Sequence, residues 1–234
     1  MARLKRLAVS GCVHHIVMRG LAGTPVFAAA EDFARYAELL ARWSSTLRVE
    51  VHAYVLMPSE VQALVTPQEG PALGRLVQAL GRDYTTAFNR RIGRVGTLWQ
   101  GRFQAAPVES GPRVVDCMRY IEQAPVRQGF ALRADACPWS TATHHVGRGN
   151  LPWLTDPPAF WALGNTPFER QAAYALLLQM HLDVAEVSRI ASATAGGWAL
   201  GSAVFAEAVS AHTERRASPQ TRGRPRIALK AEQS

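Results

Sequence analysis

The sequence predicts an α+β fold, a ferredoxin-like antiparallel sheet with helices on one face, followed by a small helical extension and a basic tail. Three observations predict it. Apolar residues recur with the strand period of two in some segments and with the helical period in others. Those segments follow the order strand, helix, strand, strand, helix, strand, which is the ferredoxin-like arrangement. Proline and glycine stand at the segment boundaries, where they end or begin regular structure.

The first half of the sheet is predicted by two strands and a helix. Residues 13–19 form an apolar run typical of a strand, and residues 31–47 carry aromatic and leucine side chains at helical spacing. Residues 49–57 then alternate apolar and polar side chains, as a strand does. The turn Pro58-Ser59 predicts that residues 61–65 return as its antiparallel partner.

The second half repeats the pattern with one helix, one strand and one more helix. Pro71 stands where a helix favours proline, in its first turn, and the apolar positions that follow predict a helix up to Phe88. Residues 104–109 are the candidate fourth strand. Pro112 begins the next helix and Pro125 ends it, because proline has no amide hydrogen to continue the ladder.

Composition divides the chain into four predicted parts. Residues 1–146 hold the sheet. Residues 147–165 are rich in Gly, Pro and Trp and are predicted to be a linker. Residues 166–210 are predicted to form two short helices with Gly196-Gly197 between them. Residues 211–234 are a basic tail that we expect to be disordered in the free protein.

Charge points to an anionic partner. The 234-residue chain has a formal net charge of +8 and a pI of about 10.1. Residues 75–102 hold six arginines against one aspartate, and residues 212–230 hold five arginines and one lysine against one glutamate. Arginine-rich composition alone does not explain this clustering. It favours nucleic acid as partner over a merely solvated basic face.

Other features exclude some classes of protein. No apolar run is long enough to span a bilayer, and the N-terminus lacks the apolar core of a signal peptide, so we expect no membrane association and a cytoplasmic location. Three cysteines, at positions 12, 117 and 137, lack metal-ligand spacing and are expected to be reduced.

Several sequence blocks together resemble one known family. The blocks are His14-His15-Ile16-Val17 with Arg19-Gly20, Met57-Pro58-Ser59-Glu60-Val61-Gln62, Gly96-Thr97-Leu98-Trp99-Gln100-Gly101-Arg102-Phe103, Cys117-Met118-Arg119-Tyr120-Ile121-Glu122, and Pro138-Trp139-Ser140 with His144. In order and spacing they resemble the REP-associated tyrosine transposases, single-tyrosine members of the HUH nuclease superfamily. The resemblance covers residues 1 to about 146 and implies the same sheet with helices on one face.

The resemblance also implies a catalytic site, from which this chain departs. In that family two histidines hold a divalent metal against single-stranded DNA; here Glu60 and Gln62 stand in their place. The matching nucleophile, which would form a 5′-phosphotyrosine link, is Tyr120. The third metal-binding position, four residues later, is Ala124, which has no ligand atom. We therefore expect no cofactor, or Mg or Mn if the site is active through the oxygen ligands of Glu60 and Gln62.

Helical phase bears on the role of Tyr120. It lies off the apolar stripe formed by Val114, Met118 and Ile121, so we expect it to be exposed, as a nucleophile must be. An ordinary surface tyrosine fits this phase equally well.

DNA contacts are expected from the basic residues that remain. The candidates are Arg75, Arg82, Arg90, Arg91, Arg94, Arg102, Arg119, Arg127, Arg222, Arg224 and Arg226, with Trp99 and Phe103 as stacking platforms. Core packing is the equal alternative for Trp99. The segment Arg222-Gly223-Arg224-Pro225 resembles an AT-hook for A·T-rich duplex DNA, and a solvated basic tail is its alternative.

Three functions follow as hypotheses. The first is a transposase relative that binds hairpin-forming single-stranded DNA without cleaving it. The second is an active transposase or single-strand endonuclease that uses Tyr120. The third is a protein-interaction module or a remnant without selected function. The oligomeric state is left open by the sequence, with a monomer favoured.

Overall fold

The central sheet has four strands, in a computed structural model that describes residues 6–219. The strands are β1 (Val13–Arg19), β2 (Val49–Met57), β3 (Glu60–Pro67) and β4 (Gln104–Val108). Their order across the sheet is β2-β3-β1-β4, and every neighbouring pair is antiparallel. This arrangement confirms the predicted α+β, ferredoxin-like class.

Two long helices cover one face of the sheet, as predicted. They are α1 (Ala30–Thr46) and α2 (Gly70–Ile92). Pro71 lies in the first turn of α2, and Gly93 ends it with a φ of 69°, a left-handed conformation that costs glycine little. Their apolar stripes pack with alternate residues of the strands, such as Ile16 of β1, into one buried core.

The other face of the sheet is covered as well. The remaining helices in chain order are α3 (Pro112–Glu122), α4 (Ala124–Arg127), α5 (Ala142–His145), α6 (Pro158–Trp161), α7 (Pro167–Gln179), α8 (Val184–Gly196) and α9 (Ala203–Thr213). A second buried core joins α3, α6, α7 and α8 to the strand residues that alternate with those of the first core. The prediction of helices on one face therefore holds for α1 and α2, whereas the later helices cover the other face. Strands β2 and β3 are almost wholly buried, as strands covered on both faces are.

The C-terminal segment contains three helices rather than the two expected. The predicted start of α7 is confirmed: Thr166 Oγ1 accepts from the Glu169 amide at 3.2 Å, and Glu169 Oε2 accepts from the Thr166 amide at 3.0 Å. The extra break follows α7, where Asp183 Oδ1 accepts from the Glu186 amide at 2.6 Å and starts α8. The pair Gly196-Gly197 separates α8 from α9, as predicted.

The segment predicted as a linker packs against the sheet. The Thr155 amide donates to the Val51 carbonyl at 2.9 Å, and Phe160 is buried in the second core. The beginning of the predicted tail is also part of the fold, because Ala217 is buried and its carbonyl accepts from the Ala199 amide at 2.7 Å. The division into four parts remains a prediction. Arg222, Arg224 and Arg226 lie outside the described residues.

Strand register brings the candidate site together. In the β1–β3 ladder Arg19 pairs with Glu60 and Val17 with Gln62, and β4 places Gln104 beside Val17. Paired residues of neighbouring strands project to the same face, which here is the face covered by α3. None of the helices between residues 6 and 219 is long and apolar enough to cross a membrane.

Candidate nucleic-acid interface

Glu60 and Gln62, at the positions of the expected metal pair, lie in a closed hydrogen-bond network. Both residues are buried. The Gln62 amide nitrogen donates to Glu60 Oε1 at 2.5 Å, and Arg19 Nε lies 2.5 Å from Glu60 Oε2. The second guanidinium edge of Arg19 donates to Gln104 Oε1, also at 2.5 Å. A protein cation therefore compensates the Glu60 carboxylate directly.

His15 extends this network inward. Because the Gln62 nitrogen faces Glu60, its oxygen faces His15, whose Nε2 lies 3.2 Å away and carries the proton. The opposite ring nitrogen, Nδ1, accepts from the Thr194 hydroxyl at 2.7 Å. Burial lowers the pKa of His15 to about 4, with a smaller contribution of the same sign from nearby arginines, so the ring is neutral at neutral pH.

The residues of this network do not fit a divalent metal. Each oxygen of Glu60 accepts from a protein donor, and the Gln62 oxygen accepts from His15. An ion at this place would have to displace Arg19 and leave its charge uncompensated. Ala124 is buried and has no ligand atom, and the amide nitrogen of the neighbouring Gln123 donates to the carbonyls of residues 178 and 180 at 2.9 and 2.8 Å.

Tyr120 lies on α3 beside the network, and it is half-buried rather than exposed. Its ring meets His15 edge-on, with centroids 5.5 Å apart, and the Arg127 guanidinium lies 4.2 Å from its centroid on the other side. Burial raises the pKa of the Tyr120 phenol, and the charge of Glu60 adds to this while Arg127 opposes it. Helical phase missed this burial because the covering groups come from other elements. The phenol is protonated at neutral pH.

Arg119, a candidate DNA contact, has its guanidinium group engaged inside the fold. It is buried, with Nε donating to the Leu177 carbonyl at 2.9 Å and Nη2 to the Met180 carbonyl at 2.8 Å. These carbonyls belong to the last turn of α7 and the residue after it, so Arg119 satisfies acceptors that the helix end leaves open.

Two other candidate arginines are held by the fold. Arg91 binds Asp32 in a bidentate pair, at 2.8 and 2.5 Å, and thereby joins α2 to the start of α1. Arg94 donates to the Asn89 side chain at 3.2 Å and to the Thr97 carbonyl at 2.7 Å, which orders the loop after α2. Their guanidinium groups are less available for phosphate than the sequence suggested.

The remaining candidates on α2 and the following loop are accessible. Arg75, Arg90 and Arg102 are exposed and have no ion-pair partner among the described residues. Arg82 is exposed and pairs with Asp83 at 2.9 Å. Exposed guanidinium groups of this kind are the phosphate contacts that single-stranded nucleic acid requires.

A groove of about 880 Å³ runs between the end of β1 and the side of α2 and is named here the β1–α2 groove. Arg6, Arg19, Arg82 and Arg102 line it together with Trp99 and Phe103, and no described acidic residue does. The groove therefore combines positive charge with aromatic surface, close to the network around Glu60.

Trp99 packs against the first core and also lines the β1–α2 groove. Its ring packs near Tyr36 and Tyr84, with centroids 6.0 and 6.1 Å apart, and it borders the first core. Its indole nitrogen is buried without a hydrogen-bond partner among residues 6–219. Phe103 is half-buried under the Arg6 guanidinium, 3.6 Å from its centroid. Stacking on a base requires an open ring face, and one face of Phe103 is covered by Arg6.

Sequence reasoning missed Arg19, His15 and Thr194 as members of the site. Arg19 and His15 belong to a strand far from Glu60 in sequence, and Thr194 lies in α8. The one available signal was that Arg19 ends a predicted strand next to a turn. Only the β1–β3 register shows that it faces Glu60.

Comparison with known proteins identifies relatives for the first half of the chain. The family model described as "Transposase IS200 like" matches residues 8–124. A solved REP-associated tyrosine transposase bound to a REP hairpin is similar in structure, with a TM-score of 0.53, 17% identity, and coverage of 68% of this chain and 93% of that chain. A putative transposase from Deinococcus radiodurans R1 has a TM-score of 0.37, 19% identity, and coverage of 55% and 95%. No curated protein matches the chain.

Proposed function

This chain belongs to the IS200-like transposase family, and on that premise we propose that it binds hairpin-forming single-stranded DNA without cleaving it. The observation that carries the proposal is the ion pair of Arg19 with Glu60. It puts a fixed protein cation where the resemblance to HUH enzymes implies a divalent metal.

The absence of cleavage follows from what phosphodiester attack requires. A protonated tyrosine is a weak nucleophile, and a metal ion ordinarily polarises the phosphate to make attack feasible. Here the pKa of Tyr120 is raised, chiefly by burial. The ligand atoms of Glu60 and Gln62 are already occupied by protein partners. Arg19 can attract a phosphate but does not supply the activation of a divalent ion.

The binding half of the proposal depends on the β1–α2 groove. Its arginines suit the phosphate backbone, and the aromatic surface of Trp99 and Phe103 suits unpaired bases. A hairpin is the expected substrate because the similar solved transposase was bound to a REP hairpin. A hairpin also presents both duplex and single-stranded backbone to one basic surface.

Cleavage through Tyr120 is the second candidate function. It is favoured by the position of Tyr120 itself, close enough to Glu60 for that charge to raise its pKa, with Arg127 against its ring. In that reading Glu60 and Gln62 would hold Mg or Mn through oxygen atoms after Arg19 moves away.

The test compares affinity for a labelled hairpin and for an unstructured strand of the same composition, with EDTA and with Mg. We expect the hairpin to bind at least tenfold tighter, with no effect of EDTA. Arg102→Ala should weaken both and reduce the salt slope by about 0.7–0.9, the contribution of one phosphate contact. The matched control is Arg35→Ala, an exposed arginine on α1 outside the groove. Equal affinity for the two strands would overturn the proposal.

The same samples, run on denaturing gels, separate binding from cleavage. We expect no covalent adduct from the natural chain with Mg or Mn. An adduct that disappears in Tyr120→Phe would overturn the non-cleaving assignment and establish the second candidate.

A further inference from the structure

A second cluster of ligand-type side chains lies on the far side of α3 from the site above. His144 and His145 belong to α5, and Asp156 follows it in the segment that packs on β2. The Nε2 atoms of the two histidines lie 3.6 and 3.7 Å from Asp156 Oδ1, and one ligand atom from each residue lies within 4.8 Å of the others. Ligands about 2.1 Å from a shared ion are about 3–3.7 Å apart.

His145 is oriented for ligation by a buried carboxylate. Glu122 of α3 accepts from His145 Nδ1 at 2.6 Å, from the Thr141 hydroxyl at 2.6 Å and from the Tyr174 hydroxyl at 2.7 Å. All three groups donate to the Glu122 carboxylate, so the Nδ1 edge of His145 is bound to Glu122 and its Nε2 edge faces Asp156. A carboxylate behind a histidine is the usual support of a metal ligand.

The Nε2 atom of His145 has no hydrogen-bond partner among the described residues. The same is true of Asp156 Oδ1, which faces it, and both atoms are buried. The whole His145 side chain is buried, so water does not reach its Nε2 atom from the surface. His145 Nε2 and Asp156 Oδ1 face each other at 3.7 Å, and the Glu122 carboxylate lies behind the same ring at 2.6 Å from Nδ1. A cation shared by the two atoms would stabilise this arrangement.

We propose that His144, His145 and Asp156 bind a divalent transition metal of the zinc class, distinct from the Glu60 and Gln62 positions. Two imidazoles and one carboxylate form a ligand set that suits Zn²⁺, with water completing the sphere. An ion can enter because the side chains of His144 and Asp156 are 20% and 23% exposed. The site ties α5, the segment at Asp156 and, through Glu122, α3 together.

Of the three proposed ligands, His144 must change its hydrogen bonding the most in order to bind an ion. Its Nδ1 accepts from the Leu151 amide at 3.1 Å, so Nε2, which faces Asp156, carries a proton. Ligation moves that proton to Nδ1 and releases the Leu151 amide. We therefore expect His145 and Asp156 to contribute most of the affinity and His144 less.

The test uses the full-length chain, stripped of metal and titrated with Zn²⁺, with Co²⁺ as a spectroscopic probe. We expect about one ion per chain and a rise in Tm of roughly 5–10 °C at a hundredfold excess of free Zn²⁺ over Kd. Asp156→Asn should abolish both the Tm rise and the visible Co²⁺ spectrum. His144→Gln should weaken binding by about tenfold.

Two matched controls locate the ion. His181→Gln removes an exposed histidine outside the cluster, and Glu60→Gln alters the position of the expected metal pair; neither should change uptake. No uptake, or uptake unchanged by Asp156→Asn, would overturn the proposal. The proposal would also be overturned if Tm rose on acidification but not on addition of Zn²⁺. A proton shared by Asp156 and His145, rather than a metal ion, would then stabilise the cluster. The outcome of the DNA-binding test is independent of every one of these results.

Discussion

At the candidate nucleic-acid interface, Arg19 lies where the resemblance implies a divalent metal. Arg19 supplies the cation beside Glu60, and the network behind it leaves His15 buried and neutral. His14 and His52 are likewise held by backbone carbonyls, at 2.7 Å from Cys12 and 2.6 Å from Thr155. Neutral buried histidines of this kind make stability depend on pH.

A prediction at this scale concerns His15. Its pKa falls from an ordinary 6.5 to about 4 on folding, so the unfolded chain binds more protons between these values. The free energy of unfolding is therefore highest above pH 6.5 and is lost as the pH falls toward 4, by up to about 3 kcal/mol for one such group. His15→Gln should lose this part of the pH dependence in urea unfolding at several pH values.

The control for that measurement is His181→Gln, which changes an exposed histidine. Its unfolding curve should keep the pH dependence of the natural chain. If His15→Gln and the natural chain had parallel profiles from pH 7 to 4, His15 would not be held neutral by burial.

Among the helices, α3 makes functional and structural contacts on two different faces. One carries Tyr120 toward β1 and β3, and the other binds the end of α7 through Arg119 and Gln123. The C-terminal helices are thus fastened to the helix that carries the candidate nucleophile. Displacement of α7 would also move Tyr120 relative to Glu60.

Arg119→Met tests this fastening. Methionine keeps the apolar stem but removes charged hydrogen bonds to two carbonyls, so we expect unfolding free energy to fall by about 2–4 kcal/mol. Arg90→Met, an exposed arginine of α2, should change it by less than about 0.5 kcal/mol. If Arg119→Met were as stable as the natural chain and bound DNA less tightly, the original assignment of Arg119 to DNA would be restored.

Across the whole molecule, the sequence predicted what is local and missed what is remote. Strand and helix periodicity predicted β2, β3 and α1, and composition predicted a helical segment that begins at residue 166. The second covered face and the pairing of Arg19 with Glu60 depend on contacts between distant segments, which no local period encodes. Arg119 and the exposed arginines are alike in sequence and differ only in what the fold places beside them.

The C-terminal arginines provide the last prediction, because they lie outside the described residues and add charge to a molecule already basic. A chain ending at residue 219 lacks Arg222, Arg224, Arg226 and Lys230 and one compensating acid, Glu232. We expect it to bind A·T-rich duplex DNA at least tenfold more weakly at low salt. The slope of log affinity against log salt should fall by about 3, whereas the preference for hairpin over unstructured single strands should persist.

Charge and minor-groove recognition are separated by changing the three arginines to lysine together. Lysine keeps the positive charge but is more strongly hydrated and enters a narrow groove less readily. Loss of the preference for A·T-rich over G·C-rich duplexes, with an unchanged salt slope, would establish the AT-hook assignment. An unchanged preference would instead make the tail a source of non-specific affinity. If the shortened chain bound duplex DNA as tightly as the full one, the tail would have no part in DNA binding.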